Sequence, residues 1–110
     1  MLLLMWVRLD YLVAMDGTAA LPILSALAQR TRLDAYLHLR DVHPKGLSSG
    51  EIAKTLGTPA NTMSSHLLIL ARAGLITASR DGKTVYYHAE VGMAQRLADF
   101  LSAAEAVRHS

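Results

Sequence analysis

Hydrophobic residues recur along most of this chain at the spacing of a helix, and at one point the spacing becomes that of a strand. Leu33, Tyr36 and Leu37 predict an apolar face on a helix from Thr31 to Val42, with Arg40 on its charged outer side. Ile52, Ala53 and Leu56 predict a short helix opening at Ser48-Ser49-Gly50-Glu51, an S-x-x-E capping box in which serine hydroxyl and glutamate carboxylate satisfy orphan N–H groups. Gly57 can take the left-handed backbone that ends this helix. Thr58-Pro59 then reads as an N-cap followed by a proline at the first helical position, so a second helix starts almost at once. Its buried stripe is Met63, Leu67 and Leu70. After Ala73-Gly74 the pattern changes: ITASRDGKTVYYH holds two short β-prone runs around Asp81-Gly82, the strongest short hairpin signal.

The flanks are also helical in pattern. Asp16-Gly17-Thr18 offers a break and an N-cap, and Ala19 to Ala28 can follow as a helix with Pro22 in its tolerated first turns and Ile23, Leu24 and Leu27 inward. His43-Pro44-Lys45-Gly46 forms a loop. Val91 to Arg108 reads as a long helix with Met93, Leu97, Phe100, Leu101 and Ala104 on one side, which must fold back on the first helices or pair with its copy in a second chain. The apolar start, residues 1–15, is broken by Arg8 and Asp10 and falls short of the roughly 18 residues of a membrane span. It has neither the basic n-region nor the cleavage site of a signal peptide. With Leu4, Val7 and Tyr11 on one helical face, it is expected to be an extension packed on a partner subunit, and residues 16–110 a single domain.

Composition narrows the chemistry. At 52% apolar, 110 residues supply a core and leave apolar surface that a dimer interface would cover. A net charge of +2 is too small to argue for nucleic acid by itself, so the placement of basic groups has to decide. The absence of cysteine excludes disulfides, thiolate zinc sites and cysteine redox switches. No activated nucleophile, phosphate loop or carboxylate pair marks an enzyme.

Chemistry concentrates instead on the second helix, where Asn61, Thr62, Ser64, Ser65 and His66 crowd the first turns. A DNA major groove admits one helix and brings its first turns to the base edges, so short hydrogen-bonding side chains there can read sequence or hold phosphates. The plainer alternative is two core helices with a polar outer face. Arg80 and Lys83 flank the hairpin tip. Alone, such cations are solvated surface protecting an edge strand; directly after this helix pair they read as a wing that reaches the DNA backbone. His66 can donate to a phosphate or stabilise the turn internally, His38 and His43 read as surface groups, and His88 reads as structural.

In this order the elements and motifs resemble the ArsR family of bacterial repressors, winged-helix dimers that sit on operator DNA and leave it when a signal binds. The matching stretches are ALAQRTRLDAYLHL (Ala26 to Leu39), GLSSGEIAKTLGTPANTMSSHLLILARAGLI (Gly46 to Ile76) and SRDGKTVYYH (Ser79 to His88). The resemblance implies that Asn61, Thr62, Ser64, Ser65 and His66 lie on the DNA-reading helix and Arg80 and Lys83 on the wing. It also sets departures. The cysteines with which family members sense arsenite or soft metals are absent, as is the paired Asp and His zinc pattern of the terminal helix, so no metal site or cofactor is expected. Glu105 and His109 at helical spacing are either a two-ligand pair or a weak helix pair.

The expectation is therefore a mainly α winged helix-turn-helix with a small β-hairpin, dimerised through its N- and C-terminal helices. Its partners would be double-stranded operator DNA, a second copy of itself and an inducer, small molecule or metal, not read through sulfur; it would be cytoplasmic, with no membrane partner. A rival expectation is a winged-helix module that binds a protein through its apolar terminal helices.

Overall fold

The computed structural model describes residues 15–109, with side chains as far as 103. The elements are α1 (Gly17–Leu27), α2 (Arg30–Val42), β1 (Leu47–Ser48), α3 (Ser49–Leu56), α4 (Ala60–Arg72), β2 (Ile76–Asp81), β3 (Thr84–Ala89) and α5 (Val91–His109).

α1 opens two residues earlier than expected because the Asp16 carboxylate accepts from the Ala19 N–H at 2.8 Å and caps the helix at Gly17. Pro22 therefore falls in the second turn, where its ring denies the Thr18 carbonyl its helical donor. The buried side is Ala20, Ile23 and Ala26. Leu24, expected inside, is 38% exposed, and Leu21 is 66% exposed. The buried face packs on the neighbouring α2 and α4, and Leu21 and Leu24 turn outward.

α2 lies at the centre, packed on α1, α3, α4 and β3. Gln29 caps it, its side-chain oxygen accepting from the Arg32 N–H at 2.8 Å. Ala35, Tyr36 and Leu39 are buried; Leu33 and Leu37 are only half-buried at the edges of that face. Leu39 meets Ile52, Met63, Leu67, Leu70, Leu75 and Ile76 in the fully buried centre. Each such side chain removed from water contributes about 1.5–3 kcal/mol, so the helix pair is set by its shared core.

The expected hairpin is part of a three-stranded antiparallel sheet in the order β1-β3-β2. The added strand is Leu47–Ser48, paired to Tyr87 and Tyr86. It ties the wing to the residue that starts α3. The hairpin turn also differs: Asp81 pairs with Thr84, so Gly82 and Lys83, not Asp81 and Gly82, form the two-residue loop. Gly82 has φ 63°, and among the described residues only glycines have positive φ. Positive φ at only the first central position is the pattern of a II′ turn, which needs glycine there.

α5 lays Leu97 into the core, with Met93, Ala94 and Phe100 against it. Leu101, expected on that side, is 46% exposed. The helical face of Leu4, Val7 and Tyr11 and the side chains of Ala104, Glu105 and His109 lie outside what the structure describes. Among the described residues no helix is long and apolar enough to cross a membrane, and no cluster of three or more His, Asp or Glu could hold a metal.

Candidate nucleic-acid interface

The helix pair is fixed at both ends. Ser48 Oγ accepts from the Glu51 N–H at 3.2 Å while Glu51 Oε1 accepts from the Ser48 N–H at 3.1 Å, the reciprocal box read from sequence. The Ser48 backbone N–H most of all, and next the Ser48 hydroxyl, hold the Glu51 carboxyl below the usual carboxylate range. At the far end Gly57 is left-handed, and the Thr58 N–H reaches back to the Ala53 carbonyl at 3.0 Å. That bond corrects the expected cap. Thr58 is spent on ending α3, Pro59 is the N-cap of α4, its carbonyl accepting from the Met63 N–H at 2.9 Å, and the first helical residue is Ala60.

A proline cap has no side chain to offer, and Asn61 takes over part of that work. Its Oδ1 accepts from the Thr62 N–H at 3.0 Å, which leaves the amide NH2 as the outward group. Asn61 thus presents donors rather than the donor-acceptor pair that reads adenine. Ser64 Oγ donates to the Ala60 carbonyl at 3.1 Å and Ser65 Oγ to the Asn61 carbonyl at 3.4 Å. With their protons occupied, both hydroxyls show lone pairs to the outside.

Met63, Leu67 and Leu70 are fully buried. Opposite them Asn61, Ser65, Leu68 and Arg72 follow one another along the outermost line of α4, all exposed, with Thr62 and Ser64 exposed on either side. Leu68, 49% exposed, and Arg72 were not singled out from the sequence, although counting turns from Asn61 reaches both.

His66 stands apart from the other expected residues. It is half-buried on the flank of α4, its Nδ1 lying 3.4 Å from an Arg32 terminal nitrogen on α2. Arg32 Nε in turn donates to the Ala26 carbonyl at 2.8 Å, at the end of α1. No pattern in the sequence links Arg32 to His66.

β2 packs on α4, so the hairpin extends beside it. Lys83 occupies the tip and Arg80 faces Val85 across the ladder; both are exposed, and among the described residues neither forms an ion pair. The hairpin base is held by His88, which bridges Ser79 Oγ at 3.0 Å and the Pro44 carbonyl at 3.3 Å. A carbonyl only accepts, so the ring proton sits on Nδ1 and Nε2 accepts from the serine. His88 is structural; His43 is exposed and His38 half-buried.

This geometry has counterparts among known proteins. A helix-turn-helix domain family matches residues 27–78. YbzH, an uncharacterized HTH-type transcriptional regulator of Bacillus subtilis, is 36% identical over 88 residues, 80% of this chain and 88% of that protein. An ArsR-like transcriptional regulator from Rhodococcus sp. RHA1 superposes with a TM-score of 0.75 over 84% of each chain at 21% identity. The chain belongs to the ArsR family. As an ArsR-family protein it is a DNA-binding regulator of transcription, not an enzyme. Another ArsR-like fold, the domain of the Mycobacterium bovis protein Mb0332, superposes at 0.63 over 84% of this chain and 85% of that one, with 25% identity; it is described as homodimeric and DNA-binding.

Proposed function

We propose that the chain is a homodimeric transcriptional repressor that occupies a palindromic operator and is released by a signal not read through sulfur. The observation that carries this reading is the outer line of α4, where Asn61 and Ser65 are exposed, with Thr62 and Ser64 beside them and an exposed cationic hairpin next to the helix. Asn61, Thr62 and Ser65 bias sequence at the base edges, with Ser64 beside them on the reading helix; His66, Arg80 and Lys83 hold backbone phosphates. Residues 16–110 act as one domain and 1–15 as an extension onto the partner subunit.

A second copy suits the surface left over. Leu21 and Leu24 of α1 and Leu101 of α5 stay exposed at 66, 38 and 46%, and the related Mycobacterium bovis domain is homodimeric. A two-fold dimer would set two copies of α4 about 34–36 Å apart, one turn of DNA. For the signal, a cleft of about 210 Å³ between α1, the end of α4 and the start of α5, lined by Met15, Ile23, Arg72 and Met93, offers a place that both DNA and dimer would feel. Cytoplasmic residence follows from this role.

The same exposed leucines also fit the rival reading, an interaction module for another protein. Binding of the full chain to a duplex from upstream of its own gene, against a random duplex, separates the two, with sedimentation reporting its oligomeric state. Preferential binding as a dimer, weakened by one of a panel of metals and small ligands, is the expected result. No preference for any duplex, together with a stable hetero-complex, would overturn it.

A further inference from the structure

We infer that Arg32 is a positioning residue for DNA binding, holding His66 so that its Nε2–H is a fixed donor to a backbone phosphate. The inference rests on the DNA-binding face proposed above.

A guanidinium has donors and no acceptor, and it stays charged. The 3.4 Å approach between Arg32 and His66 Nδ1 is therefore a hydrogen bond only if Nδ1 carries a lone pair, which puts the ring proton on Nε2. The two ring nitrogens direct their bonds apart, so Nε2–H faces away from Arg32. Arg32 cannot swing out of this role freely. Its Nε is tied to the Ala26 carbonyl at 2.8 Å, so one side chain joins the end of α1, the start of α2 and the flank of α4. His66 itself lies between Thr62 and Ile69 on the side of α4, off the outermost line of Asn61, Ser65, Leu68 and Arg72. A helix seated in the major groove turns its outermost line to the bases and its sides to the phosphate walls. A neutral imidazole N–H at that side meets an anionic oxygen, which only accepts.

Without Arg32 the ring could place its proton on either nitrogen and rotate. Only the arrangements with the proton on Nε2 and the ring turned outward would then offer a phosphate a donor, and apparent affinity falls with that fraction. This also explains why a half-buried histidine sits beside the small polar groups of the first turns of α4: its aim comes from behind.

The test uses the full chain. Two-bond proton-nitrogen correlation spectra of the free protein should show His66 as the Nε2–H tautomer, and Arg32→Met, which keeps the side-chain stem, should shift it toward a tautomer mixture. Arg32→Met should weaken binding to the preferred duplex severalfold, up to about tenfold, the full worth of one hydrogen bond to a charged acceptor. His66→Gln, whose amide nitrogen stands where Nε2 was, should bind nearly as well as the parent, whereas His66→Asn should lose about the full tenfold. Adding Arg32→Met to His66→Asn should cost little more. Melting temperatures separate loss of aim from loss of fold, and if Arg32→Met does not fold, the His66 pair carries the test alone. An Nδ1–H tautomer in the parent, or equal binding by His66→Gln and His66→Asn, would overturn the inference while leaving the repressor reading intact. Failure of the parent to bind any duplex overturns both.

Discussion

The imidazole of His88 lies so close to Gly46 that a Cβ added there would clash with its Cε1, Nε2 and Nδ1. His88 cannot yield cheaply, since its two nitrogens are held by Ser79 and the Pro44 carbonyl. Gly46→Ala is therefore expected to destabilise the fold by about 1–3 kcal/mol, the usual cost of forcing atoms into a filled site. Urea unfolding measures it. The double variant Gly46→Ala with His88→Ala should recover part of that loss, because the clash is with one ring; a double variant less stable than either single one would contradict this account.

Glu51 makes the start of the helix pair sensitive to acid. Its carboxyl is held low, chiefly by the Ser48 backbone N–H and next by the Ser48 hydroxyl, so its charged form is favoured by folding. A depressed folded-state pKa means that the associated stability is present above the unfolded value of about 4.3 and is lost as pH falls through the lower folded value. Thermal melts from pH 6 downward should show that loss in the parent. Glu51→Gln should lack it, and Ser48→Ala, which removes the reciprocal hydroxyl, should cost about 1 kcal/mol near neutral pH.

Tyr36 gives the opposite sign at the other end of the scale. It is 4% exposed, and its hydroxyl has no hydrogen-bond partner among the described residues. Burial pushes its pKa up; the nearby Arg40 opposes this and Glu90 adds to it. A raised folded-state pKa means stability that is complete below the unfolded value of about 10 and is lost as pH rises through the folded value. Tyr36→Phe should remove this alkaline loss. It should also gain about 1 kcal/mol at neutral pH by deleting an unsatisfied buried group. A Phe variant that melts lower than the parent at pH 7 would mean that the hydroxyl has a partner after all.

How much of this was legible beforehand depends on the range of the interaction. Met63, Leu67 and Leu70 are buried and Asn61, Thr62 and Ser65 exposed, as their spacing implies, because one helical turn is enough to fix a face. The capping box spans four residues and is equally plain. β1 was not legible: two residues have no period, and Leu47–Ser48 is a strand only because Tyr86 and Tyr87 come back to pair with it. Leu24 was misplaced because α1 is apolar nearly all round, and packing on α2 and α4 selected the face of Ala20, Ile23 and Ala26. The Arg32 to His66 bond crosses between helices, so only the packed core could reveal it.

The division of labour on the DNA face can be tested with two substitutions. Lys83 sits in a two-residue loop at the tip of the hairpin, where a flexible ammonium can meet a phosphate but no base edge is selected by geometry. Lys83→Ala should weaken binding to operator and random duplex alike and lower the slope of log K against log salt by about 0.9, one released counterion. Asn61 faces outward at the first turn of α4 with its amide donors free to meet a base acceptor. Asn61→Ala should reduce the preference for operator over random duplex by about 0.5–1.5 kcal/mol, the worth of a single hydrogen bond, and leave the salt slope unchanged. Because Asn61 also receives the Thr62 N–H, its variant is compared at a temperature well below its own melting point. Anisotropy titrations at several salt concentrations give both quantities from one data set. Equal losses on both duplexes in both variants would mean that α4 and the wing share one undifferentiated electrostatic task.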